Sequence, residues 1–245
     1  MYEEIFNQIR SAANKRNLKD STIHAYCTSV AHFLNRTAKD IDALTTDDVD
    51  IFLTEKKLSG ISPETYNHYH SGIRFFYKKI LKKNWDDDDI PRMKRDRKLP
   101  TVLTKTEISA ILDATPNLKH KAMIATMYSG GLRVSEVTHL HYDDISRTKK
   151  TIHIRDGKSR SDRYTLLADR TLEILTEYWF QCGRPRGILF PSSWTGDYLT
   201  KDSVIQFFRE SAKRAGIQKH VSTHCLRHSF ASHLFESGCD VKYIQ

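Results

Sequence analysis

The feature that most constrains this chain is a strongly charged stretch that runs from residue 78 to residue 100. It contains a cluster of lysines, four consecutive aspartates, and a basic run bounded by prolines. Runs of like charge cannot be buried together in an apolar core, so the stretch is expected to be exposed. The sequence therefore predicts two domains, residues 1–84 and 99–245, joined by a charged linker at residues 85–98.

The first domain carries apolar residues at helical spacing and no strand pattern. In four separate stretches these residues recur every three or four positions, as they would on one face of an α-helix. The clearest helix start is Ser62-Pro63, because serine is a good N-cap and proline fits the first helical position. We predict a compact helical module whose outer faces are basic.

The second domain is predicted to be mostly helical with one β region. Residues 104–107 form a capping box, which indicates a helix start. The apolar period changes to two in residues 151–155 and 163–167, and Asp156-Gly157 between them is a turn pair. This pattern predicts a β-hairpin with Lys158 at its tip. The expected fold class is therefore mostly α with a small β-hairpin or sheet.

Two arginines are predicted at helix starts, where anions bind well. Gly130-Gly131 permits a sharp turn before Arg133, and Glu136 follows one helical turn later, where its carboxylate can hold the guanidinium. The alternative interpretation of Arg133 and Glu136 is an ordinary surface ion pair.

His224 and Arg227 are predicted on one face of a second helix start. Ser222 and Thr223 before them are good N-cap candidates, and backbone N–H groups at a helix N-terminus favour anions. A guanidinium beside an imidazole suits a phosphodiester whose oxygens gain charge during reaction. A solvated basic helix end is the alternative for these residues.

Charge and composition favour a nucleic-acid partner. Lys and Arg outnumber Asp and Glu by 39 to 30, which gives a net charge of +9 and favours a polyanion. The four cysteines form no Cys-x-x-Cys pair, the N-terminus lacks a signal-peptide pattern, and no apolar run approaches the length of a bilayer span. We therefore expect a cytoplasmic protein that does not enter a membrane.

A zinc site is the metal-binding alternative. His220, His224 and His228 are spaced four apart, with Cys225 and Cys239 close by in sequence, and histidines at i and i+4 on a helix can hold zinc. A helix that starts at residue 222 or 223 would leave His220 outside it. We therefore expect no metal site here.

Three motifs in this order resemble the tyrosine recombinase, or phage integrase, family. They are Gly130-Gly-Leu-Arg-Val-Ser-Glu136, Lys158 within Asp-Gly-Lys-Ser-Arg, and His224-Cys-Leu-Arg-His-Ser-Phe-Ala-Ser-His233. Each motif is weak alone, but the ordered set is specific, and the likeness covers nearly the whole chain. It implies a helical, SAM-like core-binding domain followed by an α+β catalytic domain.

The resemblance also implies a role for each candidate residue. Arg133 and Arg227 would hold the scissile phosphate, with Glu136 supporting Arg133. Lys158 would act as general acid toward the leaving 5′ oxygen, and His224 would share protons at the reacting centre. Neither a cofactor nor a metal is implied. The implied partner is double-stranded DNA, with assembly into a tetramer on paired sites, in the cytoplasm and on the nucleoid.

The nucleophilic tyrosine of the family has no counterpart in these residues. In the family it stands about thirty residues past the arginine of the His-x-x-Arg motif, whereas 18 residues follow Arg227. Tyr243 matches a variable position instead. We therefore expect a catalytic domain that is incomplete at its C-terminus, with strand exchange through a 3′-phosphotyrosyl intermediate in the full-length form. The alternative is a truncated remnant that binds DNA without cleaving it.

Overall fold

A computed structural model of the chain describes residues 2–95, 99–155, 162–184 and 186–239. The chain divides into two compact units, Met1–Lys98 and Leu99–Gln245. Each unit has its own apolar core.

The described part of the first unit is helical. A short 3₁₀ turn, Ile41–Ala43, precedes the third helix, and the fourth continues into a π-helical turn, Phe76–Leu81. The α-helices are α1 (Glu3–Asn14), α2 (Asp20–Thr37), α3 (Thr46–Leu58) and α4 (Pro63–Phe75). As predicted, Ser62 caps α4, and its hydroxyl accepts a hydrogen bond from the Thr65 amide at 3.2 Å.

The first core forms where α2 and α4 approach closely. A Cβ at Gly72 would lie 2.8 Å from the Cβ of Ser29, so only glycine permits this backbone separation at that point of α4. Phe33 of α2 packs edge-on against Phe52 of α3, and both side chains are almost fully buried. Aromatic pairs of this geometry add attraction beyond the burial of apolar area.

The linker prediction differs from the structure between residues 85 and 93. Trp85 and Ile90 are buried in the first core, and the Asn67 amide both donates to the Met93 carbonyl and accepts from the Met93 amide. Apolar residues are interspersed among the charges, so the chain packs onto α4 while the four aspartates at 86–89 stay exposed. The segment from 85 to 93 is therefore part of the first unit rather than an exposed linker.

The second unit combines helices with a small antiparallel sheet. Its α-helices are α5 (Lys105–Asp113), α6 (Leu118–Ser129), α7 (Val134–Val137), α8 (Asp169–Gln181), α9 (Lys201–Arg214) and α10 (Thr223–Glu236). The strands are β1 (Ile145–Ser146), β2 (Thr151–Ile154) and β3 (Arg163–Leu166), in the order β1-β2-β3. The register pairs Ile154 with Arg163. The prediction of a mostly helical fold with a small sheet is confirmed.

Helix α6 is the centre of the second core. Residues 122–127 are buried on every face of the helix, because α8, α9 and α10 all pack against it. The capping box of α5 forms as predicted, with Thr104 N donating to Glu107 at 2.8 Å and Glu107 N to Thr104 at 3.2 Å. Among the described helices, none is both long enough and apolar enough to span a bilayer.

One buried histidine ties the 85–93 segment to α4. His70 is 1% exposed, and its Nε2 lies 2.8 Å from the Ile90 carbonyl. A carbonyl only accepts, so Nε2 donates and the neutral ring leaves Nδ1 without a proton. Nδ1 is buried and has no hydrogen-bond partner among the described residues. Burial lowers the pKa of His70, although the bond to Ile90 opposes the shift.

We predict that His70 makes the first unit sensitive to acid. A group with a depressed folded-state pKa contributes stability that is present above its unfolded pKa and is lost as the pH falls through the folded pKa. The first unit should therefore lose stability as the pH falls below about 6.5, the ordinary pKa of histidine. This loss of stability is measured by thermal unfolding as a function of pH. The unfolding is followed by Trp85 fluorescence in a Trp179→Phe, Trp194→Phe background.

The variants separate His70 from the other histidines. His70→Gln keeps an N–H for the Ile90 carbonyl but does not titrate, so its melting temperature should fall less with acid than that of the parent. His68→Gln is the matched control, since His68 is exposed on the same helix. An equal acid dependence in His70→Gln and the parent would contradict the assignment.

Candidate active site

A glycine turn brings the start of α7 against α10. Helix α6 ends at Ser129, and Gly131 follows with φ +59°, a conformation that favours glycine. A Cβ on Gly131 would lie 2.4 Å from the Cδ1 atom of Phe230 in α10. The backbone angle of the turn therefore favours glycine, and the contact with the Phe230 ring requires it.

Arg133 is the N-cap residue of α7 and is bound to Glu136. The Glu136 carboxylate accepts from the Arg133 backbone N at 2.8 Å and from its Nη1 at 2.8 Å. The Glu136 side chain is 6% exposed, whereas that of Arg133 is 33% exposed. The carboxylate thus lies inside the unit and holds a guanidinium that reaches the surface.

A second arginine binds the same carboxylate from β3. Arg163 donates from Nη1 to one oxygen of Glu136 and from Nη2 to the other, each at 3.0 Å. Burial alone would raise the pKa of Glu136, but the hydrogen bonds from Arg163 and Arg133 outweigh it and leave the pKa lowered. Glu136 is therefore ionised at neutral pH.

Arg227 completes the group from α10. Its Nη1 donates to the Gly131 carbonyl, and its side chain is partly buried. Burial lowers the pKa of Arg227, and repulsion from Arg133 and Arg163 adds to this, while Glu136 opposes it. We call Arg133, Arg163, Arg227 and Glu136 the arginine cluster. It carries three positive charges and one negative charge.

An open groove of about 410 Å³ adjoins the arginine cluster. Its lining includes Arg163, Arg227 and Gly131 together with the apolar side chains of Phe230 and Leu234. A guanidinium offers five N–H donors in a planar fork that matches phosphate oxygens. The cluster is thus suited to bind a phosphate group presented at the groove.

His224 lies in the first turn of α10, one turn before Arg227, and is exposed. Ser222 is the N-cap residue, as predicted, and its backbone N donates to Cys225 Sγ at 3.3 Å. Since α10 begins at Thr223, His220 lies outside the helix. Among the described residues, no group of three His, Cys, Asp or Glu side chains is arranged to hold a metal ion.

Two of the residues singled out from the sequence, Lys158 and Tyr243, lie outside the described residues. The strands on either side of Lys158 pair as the hairpin prediction required. His153 of β2 also contacts Asp162, the residue before β3, with 3.1 Å between its Nε2 and the Asp162 carboxylate.

Sequence reasoning missed Arg163. It pairs with a residue 27 positions earlier, and no spacing rule connects a strand residue with a helix residue at that separation. One signal was available in the sequence: Arg163 is a charged residue at the start of a strand with alternating polarity. This signal locates Arg163 at the end of the strand but does not identify its partner.

Comparison with known proteins gives matches along most of the chain. The profile described as "Phage integrase family" matches residues 101–245. The profile described as "Phage integrase, N-terminal SAM-like domain" matches residues 5–87.

Individual relatives match over most of their own length. The chain is similar to a tyrosine recombinase of Thermosipho africanus, with 31% identity over 95% of this chain and 86% of the relative. It is also similar to the tyrosine recombinase XerD of Caulobacter vibrioides, with 32% identity over 87% of this chain and 75% of the relative.

Among solved structures, the fold matches a lambda integrase tetramer bound to a Holliday junction. The TM-score is 0.77 at 15% identity, over 99% of this chain and 75% of the other. At this identity the likeness concerns the fold.

We predict that Gly131→Ala destabilises the protein more than its backbone angle explains. Alanine in the left-handed region costs about 1–2 kcal/mol, and the contact with Phe230 should add about 1–3 kcal/mol as overpacking. Gly216→Ala is the matched control, because Gly216 has φ +72° with nothing within 4 Å of its Cβ position. The free energy of unfolding of both variants is measured by denaturant titration.

Phe230→Leu provides the rescue test for this contact. Removing the ring should recover part of the stability lost in Gly131→Ala and none of that lost in Gly216→Ala. Equal destabilisation by the two alanine variants would show that the Phe230 contact contributes nothing.

Proposed function

Because this chain belongs to the phage integrase family, the family of the tyrosine recombinases, we propose that it is a site-specific DNA recombinase that exchanges strands through a 3′-phosphotyrosyl intermediate. The observation that carries the proposal is the arginine cluster, which has two positive charges in excess beside an open groove. The names of the matched relatives are those of recombinases, which favours this function over that of a non-cleaving remnant.

In the proposed reaction the cluster acts on the scissile phosphodiester. A tyrosine oxygen, to which none of the site residues named above is assigned, attacks the phosphorus. The bond to the 5′ oxygen breaks, and the phosphotyrosyl link preserves the bond energy until a second DNA end attacks. Arg133 and Arg227 would neutralise the charge that grows on the non-bridging oxygens. Lys158 would protonate the leaving 5′ oxygen, and His224 would share protons at the reacting centre.

Glu136 supports this arrangement by orienting Arg133. Its carboxylate binds both the backbone and the side chain of Arg133, so the guanidinium is ordered before the phosphate arrives. Preorganised charge stabilises a transition state without a reorganisation cost. Since guanidinium groups supply the positive charge, the proposed scheme requires no metal ion.

The first unit would contribute to DNA binding through a cationic groove between α1 and the π-helical turn that follows α4. This groove, of about 710 Å³, is lined by four basic residues, Lys15, Arg16, Lys79 and Lys82, by one acidic residue, Glu4, and by uncharged residues. Repulsion from Arg16 is the main cause that lowers the pKa of Lys79. A phosphate backbone would relieve this repulsion, so the groove is suited to double-stranded DNA.

Assembly and location follow from the same proposal. Recombination joins two DNA sites, so we propose that copies of the chain assemble on paired sites as a tetramer. The lambda integrase structure whose fold this chain shares is a tetramer on a Holliday junction. The place of action would be the DNA of the cytoplasm, on the nucleoid.

We predict that Arg227→Gln removes one phosphate contact. The log-log slope of DNA affinity against salt should decrease in magnitude by about 1, because one guanidinium no longer displaces a counterion. Titration of the full chain with a synthetic duplex at several salt concentrations measures it. The control is Arg209→Gln, exposed on α9 and outside the cluster, which should keep the parent slope.

The same variants separate a phosphate role from a structural one. A phosphate role predicts that DNA raises the melting temperature of Arg227→Gln less than that of the parent. If Arg227→Gln instead lowered the melting temperature of the free protein strongly and kept the parent salt slope, Arg227 would be a structural residue.

We predict a corresponding effect in the cationic groove of the first unit. Arg16→Gln and Lys79→Gln should each reduce the magnitude of the salt slope by about 1, since each side chain is proposed to face a phosphate. Lys57→Gln, which removes an exposed lysine from α3, is the matched control. If all three variants kept the salt slope of the parent, the DNA contact would not lie in this groove.

A further inference from the structure

Arg163 has no assigned role, yet it makes the most complete ion pair of the arginine cluster. Its two terminal nitrogens reach the two different oxygens of Glu136. This bidentate geometry adds both energy and geometric specificity to the ion pair. The partner carboxylate is 6% exposed, so the pair lies where water screens it little.

Arg163 uses more of its side-chain donors on Glu136 than Arg133 does. Both terminal nitrogens of Arg163 are committed to Glu136, whereas Arg133 gives that carboxylate one terminal nitrogen and its backbone N–H. Arg133 therefore keeps donors on its other side-chain nitrogens. Arg163 lines the groove but uses its fork inward.

We infer that Arg163 is a positioning residue, which orders Arg133 for phosphate binding by sharing the carboxylate of Glu136. The inference rests on the proposed function, since it assigns Arg133 to a phosphate. Without Arg163, the buried charge of Glu136 would have Arg133 as its remaining arginine partner, and it would draw the Arg133 guanidinium inward. The donors of Arg133 would then be less available to a phosphate.

The same ion pair connects the arginines with the hairpin. Arg163 is the first residue of β3 and pairs in register with Ile154, the last residue of β2. Lys158 lies between these two positions in sequence. The Glu136 carboxylate therefore joins the start of β3 to the start of α7.

The chain contains a matched control for the loss of an arginine from this hairpin. Arg155, which directly follows β2, donates from Nε to Asp144 at 2.7 Å, and the Asp144 side chain is 2% exposed. Arg155→Gln therefore also removes a positive charge and leaves a buried carboxylate short of a partner. Asp144 has no bond to Arg133, so the two variants share their structural cost and differ in the proposed positioning effect.

The test is a double-mutant cycle in DNA affinity on the full chain, with a synthetic duplex as the probe. Arg163→Gln should weaken binding about tenfold in the parent and less than about twofold in an Arg133→Ala background, because residues in one network are not additive. In a Lys79→Gln background the full effect should persist. Arg155→Gln should leave the affinity within about twofold of the parent.

A conservative variant keeps the test decisive if Arg163→Gln folds poorly. Arg163→Lys retains the charge but lacks the fork that spans both oxygens, so it should recover only part of the affinity. Full recovery by lysine would mean that charge alone matters and would overturn the inference. Equal losses from Arg163→Gln in the parent and in the Arg133→Ala background would overturn it too.

A measurement without DNA separates this inference from the proposed function. Nitrogen-15 NMR of the Arg133 guanidinium should report slower rotation about its Nε–Cζ bond in Arg163→Lys than in the parent and in Arg155→Gln, because Glu136 then holds that guanidinium more tightly. If rotation responds in this way while Arg133→Ala leaves DNA affinity unchanged, the positioning holds and the proposed function fails. Unchanged rotation in Arg163→Lys would overturn the positioning itself.

Discussion

The buried carboxylate of Glu136 is the interaction on which the site of the second unit depends. An isolated buried anion is costly, and breaking a buried ion pair by removing one partner costs about 3–5 kcal/mol. Here two arginines from different elements share the cost, one from the start of α7 and one from β3. The carboxylate holds the two guanidinium groups close together despite the repulsion between their like charges.

This arrangement requires a close contact that only glycine allows. Arg227 belongs to α10, and it joins the other arginines because the turn after α6 lies directly against Phe230. Any side chain at Gly131 would separate the turn from α10 and would move the Gly131 carbonyl that Arg227 binds. Steric contact therefore brings the elements together, and electrostatics then orders the side chains.

Sequence patterns predicted the elements well and their long-range partners poorly. Helical periodicity and local caps such as Ser62 and the Thr104–Glu107 box are short-range properties, and the structure contains them. The packing of residues 85–93 onto α4 could not be predicted, because the charges dominate the composition while Trp85 and Ile90 determine the packing. The bond between Arg163 and Glu136 was missed for a related reason: a pairing across 27 residues depends on how β3 meets α7, which no local pattern encodes.

Both units keep unbalanced positive charge at places that the fold has organised. In the second unit three arginines surround one carboxylate, and in the first unit Arg16 lowers the pKa of Lys79 by repulsion. Such charges destabilise the free protein, and a structure selected for stability alone would spread them apart. An anion that binds at these places reduces the repulsion and so stabilises the folded protein. The phosphates of DNA, the partner proposed above, are anions of this kind.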